Sequence, residues 1–361
     1  MRLINRYITY SILLNTLLMA LILGSIITLL DFFDEVKDVG SQGYTFTMAL
    51  LYTAATIPQR IYEILPIAVL MGSLLAIGGM AANSELTAIR TAGVGILNVV
   101  KASLRAGMIV VLLALAIGEF VAPQGQEAGQ RIKNLGESQR ISMKTNEGLW
   151  VKDGQRFINI REVFPNQSLA NLWVYELDKQ HKLKEAIHAE KAIYLGNKWM
   201  LTNVKRSTIS KEQVSTVKSE YENWTRLIEP ELFRVIIAQP EQMSAAMLNK
   251  YIEYLDDNKL DTSKYELALW MRLTTPLSCL VMILLTVPFV FLYARMEGIG
   301  QRVFIGTIAG IVVYLLNRTV GNITLVYGLP SIVGAFLPLL FFATIGSFLL
   351  LRSMGFKPLQ P

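Results

Sequence analysis

Four stretches without a single Asp, Glu, Lys or Arg dominate this chain: residues 7–30, 64–84, 273–294 and 319–351. A bilayer core about 30 Å thick takes roughly 20 mostly apolar residues in a helix, and each run meets that length. Inside hydrocarbon every backbone N–H and C=O has to be paired within the segment or a closed barrel, so unbroken runs of this kind specify helices. Gly328-Leu329-Pro330 interrupts the last run, which puts its helix from about Ser331. Two further runs are less clean. Residues 103–122 carry Arg105 and Glu119 near their ends, and residues 303–320 carry Arg318 near one end. Long charged side chains at a helix end can snorkel to the headgroups, so both count as spans. The total is six, three before residue 125 and three after residue 264.

Composition points the same way. Apolar residues make up 52% of the chain and charged residues 17%, with mean hydropathy +0.40. A soluble domain carries about 25% charged residues. The single Cys279 excludes a disulfide framework, and two histidines, His181 and His188, make no zinc cluster. The first run exceeds the roughly 7–15 apolar residues of a signal peptide and is followed by Asp31-Phe32-Phe33-Asp34-Glu35, so it reads as a retained span.

Lysine and arginine set the orientation. With the N-terminus inside, the inner segments hold Arg2, Arg6, Arg90, Lys101, Arg105, Arg295, Arg302, Arg352 and Lys357 against Glu85 and Glu297. The loop after the first span holds Asp31, Asp34, Glu35 and Asp38 against Lys37. Both termini are expected in the cytoplasm.

Residues 121–262 have another character, with 20 basic and 19 acidic residues. Strand-like segments recur at 149–151, 156–163, 172–177, 186–195, 199–204, 207–210 and 214–224. Turn signals such as Asp153-Gly154, Asp178-Lys179 and Gly196-Asn197 separate them. Alternation is visible in Ile187, Ala189 and Ile193 against His188, Glu190 and Tyr194. Such a series suggests an all-β sandwich, jelly roll or open barrel, outside the membrane. Flanking helices are expected at 125–140, continuing the third span, and at 244–256, where Met247, Leu248, Tyr251, Ile252 and Leu255 share a face.

Enzyme signatures are missing. The chain has no G-x-x-x-x-G-K-[ST], G-x-S-x-G, H-E-x-x-H or Rossmann fingerprint. His181 and His188 read as surface and strand residues, and Arg60 pairs with Glu63 three residues on. Three other features carry more. Residues 83–93 read as a short helix, with Asn83 or Ser84 as N-cap, Glu85 in the first turn, a ridge of Leu86 and Ile89, and Gly93 at C′. A cytosolic motor could push on such a helix, which could equally be an ordinary connector. Lys37, Arg60, Arg131, Lys133, Arg272 and Arg318 fall at the outer-leaflet level, where they suit phosphorylated headgroups or plain interfacial anchoring. Gly306 and Gly310, and Ala114 and Gly118, let helices approach closely, while Pro58, Pro66, Pro276 and Pro288 favour kinks.

In this order, four motifs carry a resemblance. They are Ser84-Glu85-Leu86 with Ala92-Gly93, Val121-Ala122-Pro123-Gln124-Gly125, Gly148-Leu149-Trp150-Val151-Lys152-Asp153-Gly154, and Leu325-Val326-Tyr327-Gly328-Leu329-Pro330. With the 3+3 arrangement they resemble the permease family of the lipopolysaccharide export ABC transporter, the LptF/LptG family, over essentially the whole chain. Together the four motifs point to the branch whose partner is an LptF-like chain, and the Gly148–Gly154 motif argues against the LptF type itself.

The resemblance implies an α-helical membrane protein of the bacterial inner membrane, with an inserted periplasmic jelly-roll-like β domain. Residues 1–124 would form transmembrane helices 1–3 with a coupling helix at about 83–93, residues 125–262 the β domain with flanking helices, and residues 263–361 helices 4–6. It implies a non-catalytic subunit that binds no cofactor. ATP and Mg would be bound by an LptB-like ATPase dimer, with an LptC-like membrane-anchored protein alongside and lipopolysaccharide as cargo. No nucleic acid is expected. Ser84, Glu85, Leu86, Ile89 and Arg90 would meet the ATPase. Lys133, Arg131 and Lys37 would meet lipid phosphates, with Asp31 and Asp38 standing where relatives are often basic. Leu29, Phe33, Ile67, Leu70, Phe304 and Val313 are candidates for the apolar cavity wall. Two other classes fit the bare pattern: a relay that transmits ATPase strokes without moving lipid, and a membrane-anchored binding protein without a motor.

Overall fold

The computed structural model describes residues 2–40, 43–137, 143–164, 168–178, 180, 182–196, 198–210, 213–224, 240–292 and 299–355. Arg140, Lys179, His181, Asn197, Arg295, Glu297 and Lys357, named above, lie outside them.

Nine α-helices are present among these residues: α1 (Arg2–Val36), α2 (Phe46–Ala82), α3 (Glu85–Thr91), α4 (Ile96–Ala116), α5 (Ala122–Glu137), α6 (Ala245–Asp257), α7 (Ser263–Leu292), α8 (Ile299–Val326) and α9 (Ser331–Gly355). Six are long and apolar enough to cross a membrane, with α4 and α5 counting as one rod. The chain is therefore a multi-pass membrane protein. α2 starts 18 residues before the charge-free run at Ile64, because Arg60 and Glu63 lie inside it. Their expected pairing is present, with Arg60 Nη1 3.3 Å from Glu63 Oε2.

The bundle is built around α2 and α7. The apolar stretches of these helices are 72% and 56% buried, against 28% for α1, 17% for α8 and 22% for α9. Small residues allow the close crossings. A Cβ on Gly72 would lie 2.5 Å from the Thr16 backbone of α1, and one on Gly310 would lie 2.7 Å from Ile67 Cγ2. The Gly306/Gly310 row is thus consumed inside the bundle, against Met71 and Ile67 of α2.

The insertion forms one six-stranded antiparallel sheet in chain order: β1 (Met143–Asp153), β2 (Arg156–Val163), β3 (Leu169–Leu177), β4 (Leu183–Tyr194), β5 (Trp199–Ile209) and β6 (Val214–Trp224). The separate strands expected at 199–204 and 207–210 are one, because Lys205 and Arg206 keep pairing with both neighbours, to His188 and Ile187 and to Lys218 and Val217. The inward series on β4 is Ile187, Ala189, Ala192, and Ile193 is 38% exposed, so the expected alternation slips by one residue after Ala189. Val151, Ile158, Val174, Ile187 and Leu201 form the sheet's core face, joined by Leu248, Tyr251 and Leu255 of α6.

Candidate lipid-handling and coupling sites

The end of the bundle away from the sheet carries α3. Its C-terminus is a Schellman motif, since Val94 N donates to Ile89 O and Gly93 N to Arg90 O. Gly93 sits at φ +84°, so the C′ expectation holds. The N-cap expectation does not. Ser84 has φ +59° and no side-chain cap bond, and Asn83 ends α2 instead. Three side chains dock α3 on its neighbours. Tyr7 Oη of α1 donates to Glu85 Oε2 at 2.9 Å. Leu86 is buried in the helical core with Ile77, Met80 and Val287. The Arg90 guanidinium lies 5.8 Å from the centre of the Phe291 ring of α7. Ser84 and Arg90 are exposed, and Ile89 and Glu85 half-buried. Contacts to α1, α2 and α7 thus fix this short helix to the bundle at three points.

At the sheet end, carboxylates meet most of the candidate phosphate-binding cations. Lys133 Nζ is 2.8 Å from Glu35 Oε1 and 3.3 Å from Asp38 Oδ2, which ties α5 to the end of α1. The same Glu35 oxygen accepts from Tyr44 Oη at 2.9 Å. Burial, with that hydrogen bond second, pushes the Tyr44 phenol well above its usual range. The Lys133 ammonium also faces the rings of Tyr52 and Tyr44, at 5.4 and 6.0 Å. Lys37 pairs with Asp34 at 2.6 Å, and that hydrogen bond raises its pKa. Arg60 Nε lies 2.5 Å from Asp31, and exposed Arg131 lies 3.5 Å from Glu127. Arg318 reaches the Tyr314 hydroxyl at 3.0 Å. A phosphate seeking Lys133 has to compete with Glu35 and Asp38, whereas the Lys37–Asp34 pair is open to solvent.

Arg272 belongs to a different structure. It is buried, with Nη1 donating to Gly118 O at 2.6 Å and Nη2 to Glu241 O at 3.1 Å, over the Tyr62 ring. Gly118 and Glu119 lie in a π-helical turn, Ile117–Val121, between α4 and α5. The wider turn suits a carbonyl that takes an outside donor. Glu119 accepts the Ala245 backbone N–H at the start of α6 at 3.1 Å instead of turning to a headgroup. At its other end, α6 holds the β1–β2 turn, with Tyr254 Oη donating to Lys152 O and Asn258 Oδ1 accepting from Gly154 N. This junction between bundle and sheet was not apparent in the sequence, because Arg272 and Gly118 are 154 residues apart.

The wall candidates divide. Leu29, Phe33 and Phe304 are 54–65% exposed. Ile67 is half-buried against Gly310. Leu70 and Val313 are buried in the helical core and line no open surface, since the faces they occupy pack against neighbouring helices. An apolar groove of about 460 Å³ runs between α1 and α2, lined by Gly24, Thr28, Leu29, Phe32, Leu50 and Ile57 among others.

Six membrane helices around a charged, sheet-bearing insertion, with greasy outer helices and a docked loop helix at the far end, define a membrane permease subunit. The chain belongs to the lipopolysaccharide export system permease LptF/LptG family, which matches residues 6–352. It is similar to the lipopolysaccharide export system permease protein LptG of Haemophilus influenzae, 32% identical over 97% of this chain and 98% of that protein. The protein of the same description from Escherichia coli K12 is 30% identical, again over 97% of this chain and 98% of that protein.

Proposed function

We propose that the chain works as an LptG-type permease subunit of lipopolysaccharide export and forms half of a lipid-handling clamp. The contrast in burial carries the reading: α1 and α8 are long apolar helices with little of their surface covered, while α2 between them is mostly covered. Leu29, Phe33 and Phe304 stand on those uncovered helices and present an apolar wall to acyl chains. An LptF-like chain supplies the opposite wall. Moving acyl chains toward water costs about 0.8 kcal/mol per CH₂, so an energy source is required. That source is an LptB-like ATPase dimer, which holds ATP and Mg and presses on α3 through exposed Ser84 and Arg90 and half-buried Glu85 and Ile89, while buried Leu86 anchors the helix to the bundle. The termini lie in the cytoplasm and the sheet in the periplasm, with an LptC-like anchored protein beside α1. Lipid leaves through the sheet domain toward the outer membrane.

Photo-crosslinkers at Phe304 and Leu29 test the clamp in the purified complex. Adducts to lipopolysaccharide at these positions, and none from Val313, are the expected result. Adducts to protein alone would favour a relay that moves no lipid. Replacing Glu85 by Lys should uncouple ATP hydrolysis from lipid release; unchanged coupling would remove α3 from the drive train.

A further inference from the structure

The Gly148–Gly154 motif has a side the fold does not use. Leu149 and Val151 turn toward the sheet core, Asp153 closes the strand and Gly154 begins the turn, whereas Trp150 is 57% exposed. Trp150 stands in one cross-strand row with Asn159, Trp173, His188, Lys205 and Lys218. This is the face opposite Val151, Ile158, Val174 and Ile187. Four rings touch in series across it. Trp150 stacks with Tyr175 at 6.0 Å between ring centres, Tyr175 with Trp173 at 6.3 Å, and Trp173 meets His188 at 4.3 Å. The result is a continuous aromatic platform on the outer side of the sheet.

Cations border it. Lys205 and Lys218 continue the row, Arg161 stands on β2, and Lys152 lies over the Phe157 ring. Among the described residues, none of these four cations is in an ion pair, unlike Lys133, Lys37 and Arg60 at the membrane end. Two of them, Lys205 and Arg161, act on His188. Burial first, and then Lys205 and Arg161, depress its pKa, with Glu190 opposing. Glu190 is itself engaged by Asn203 Nδ2 at 2.6 Å.

We propose that this platform binds the phosphorylated sugar of the exported glycolipid, with pyranose faces on Trp150, Tyr175 and Trp173 and the anionic groups on Lys205, Lys218 and Arg161. The inference rests on the permease reading above and adds a saccharide site to it. The hydrogen-bearing face of a sugar ring is apolar and flat and seats on an aromatic ring, while phosphate takes charge-assisted hydrogen bonds. The aliphatic side chains of these central strands point to the opposite face. Lysine is depleted in protein–protein interfaces, so a lysine border suits an anionic sugar better than a protein partner.

The test uses the full chain with its partner permease in lipid nanodiscs and a deacylated, bisphosphorylated glucosamine disaccharide as probe. Isothermal titration should show binding that weakens about tenfold in Trp150→Ala and in Lys205→Glu, and comparably when the probe is dephosphorylated. Both side chains are exposed, and unchanged thermal unfolding of Trp150→Phe and Lys205→Gln guards against a folding artefact. Binding that is absent, or equal in all variants, overturns the site. So does displacement of the probe by phosphatidylglycerol vesicles, which would make the platform a membrane-surface contact. Lipid transport is measured in the same preparation. Transport without disaccharide binding removes the platform and leaves the permease reading standing; absence of both removes the two together.

Discussion

α2 and α8 are both apolar enough to span a bilayer, yet 72% of one apolar stretch is buried and 17% of the other. Apolar content therefore says that a segment enters the membrane, not what it touches there. Lipid tails are as greasy as leucine, so a helix gains little from hiding apolar surface from them, and close packing decides instead. α2 is central because Gly72 against Thr16 of α1, Gly118 against Tyr62, and Gly310 of α8 against Ile67 permit tight crossings with it. The side of α8 away from α2 carries large side chains such as Phe304, Ile308 and Leu315 and is left open.

The largest expected effect comes from filling one of those crossings. Gly72→Ala places a Cβ against the α1 backbone and should cost about 3 kcal/mol, seen as loss of thermal stability in detergent. Gly300→Ala at the start of α8 meets nothing within 4 Å and should leave the midpoint unchanged or slightly raised. Equal effects at both would erase the contrast. Next comes Arg272→Met, which strands the Gly118 and Glu241 carbonyls and should cost about 2 kcal/mol. Hydrogen exchange in this variant should quicken at α6 and the β1–β2 turn, whereas exchange confined to α7 would detach the junction from the sheet.

Smaller again is a pair on α8 itself. Val313→Ala, in the core, should cost about 1 kcal/mol, while Phe304→Ala, on the open face, should cost less than about 0.5 kcal/mol and lower lipid crosslinking. The smallest effect is on the sheet alone. His188 has its folded pKa below the ordinary value, so the unfolded chain binds the proton more readily. Stability should fall as pH drops through the ordinary histidine range and level off below the folded value. Glu176, depressed by its hydrogen bond to Lys184 and by Arg156, adds a second loss as pH falls further, through its own folded pKa. Thermal scans of His188→Gln should lack the first step; a step that survives belongs to other groups.

The six spans were legible because charge-free runs record a solvent, and the solvent is stated residue by residue. Gly93 was legible because a positive φ at a helix C-terminus needs it. Facing was not: Leu70 and Val313 look like Leu29 in the sequence, and only packing separates them. Ser84 misled because its residue type suits a cap that its backbone geometry does not form. Arg272 and Glu119 read as interfacial charges, since a buried partner more than a hundred residues away leaves no local trace. The division of β5 at Lys205-Arg206 failed for a related reason. Charges there face an edge strand and Glu185, not a turn.

The strand order of the sheet bears on how the protein is made. Each strand pairs with the one synthesised just before it, so ring closure between partners stays short throughout. Hairpins can accumulate one at a time during translation, before α7, α8 and α9 exist. The inner face, however, needs Leu248, Tyr251 and Leu255, which leave the ribosome after β6. Nascent hairpins thus wait with an oily surface uncovered until α6 arrives and seals them, and that interval is when a chaperone is most needed.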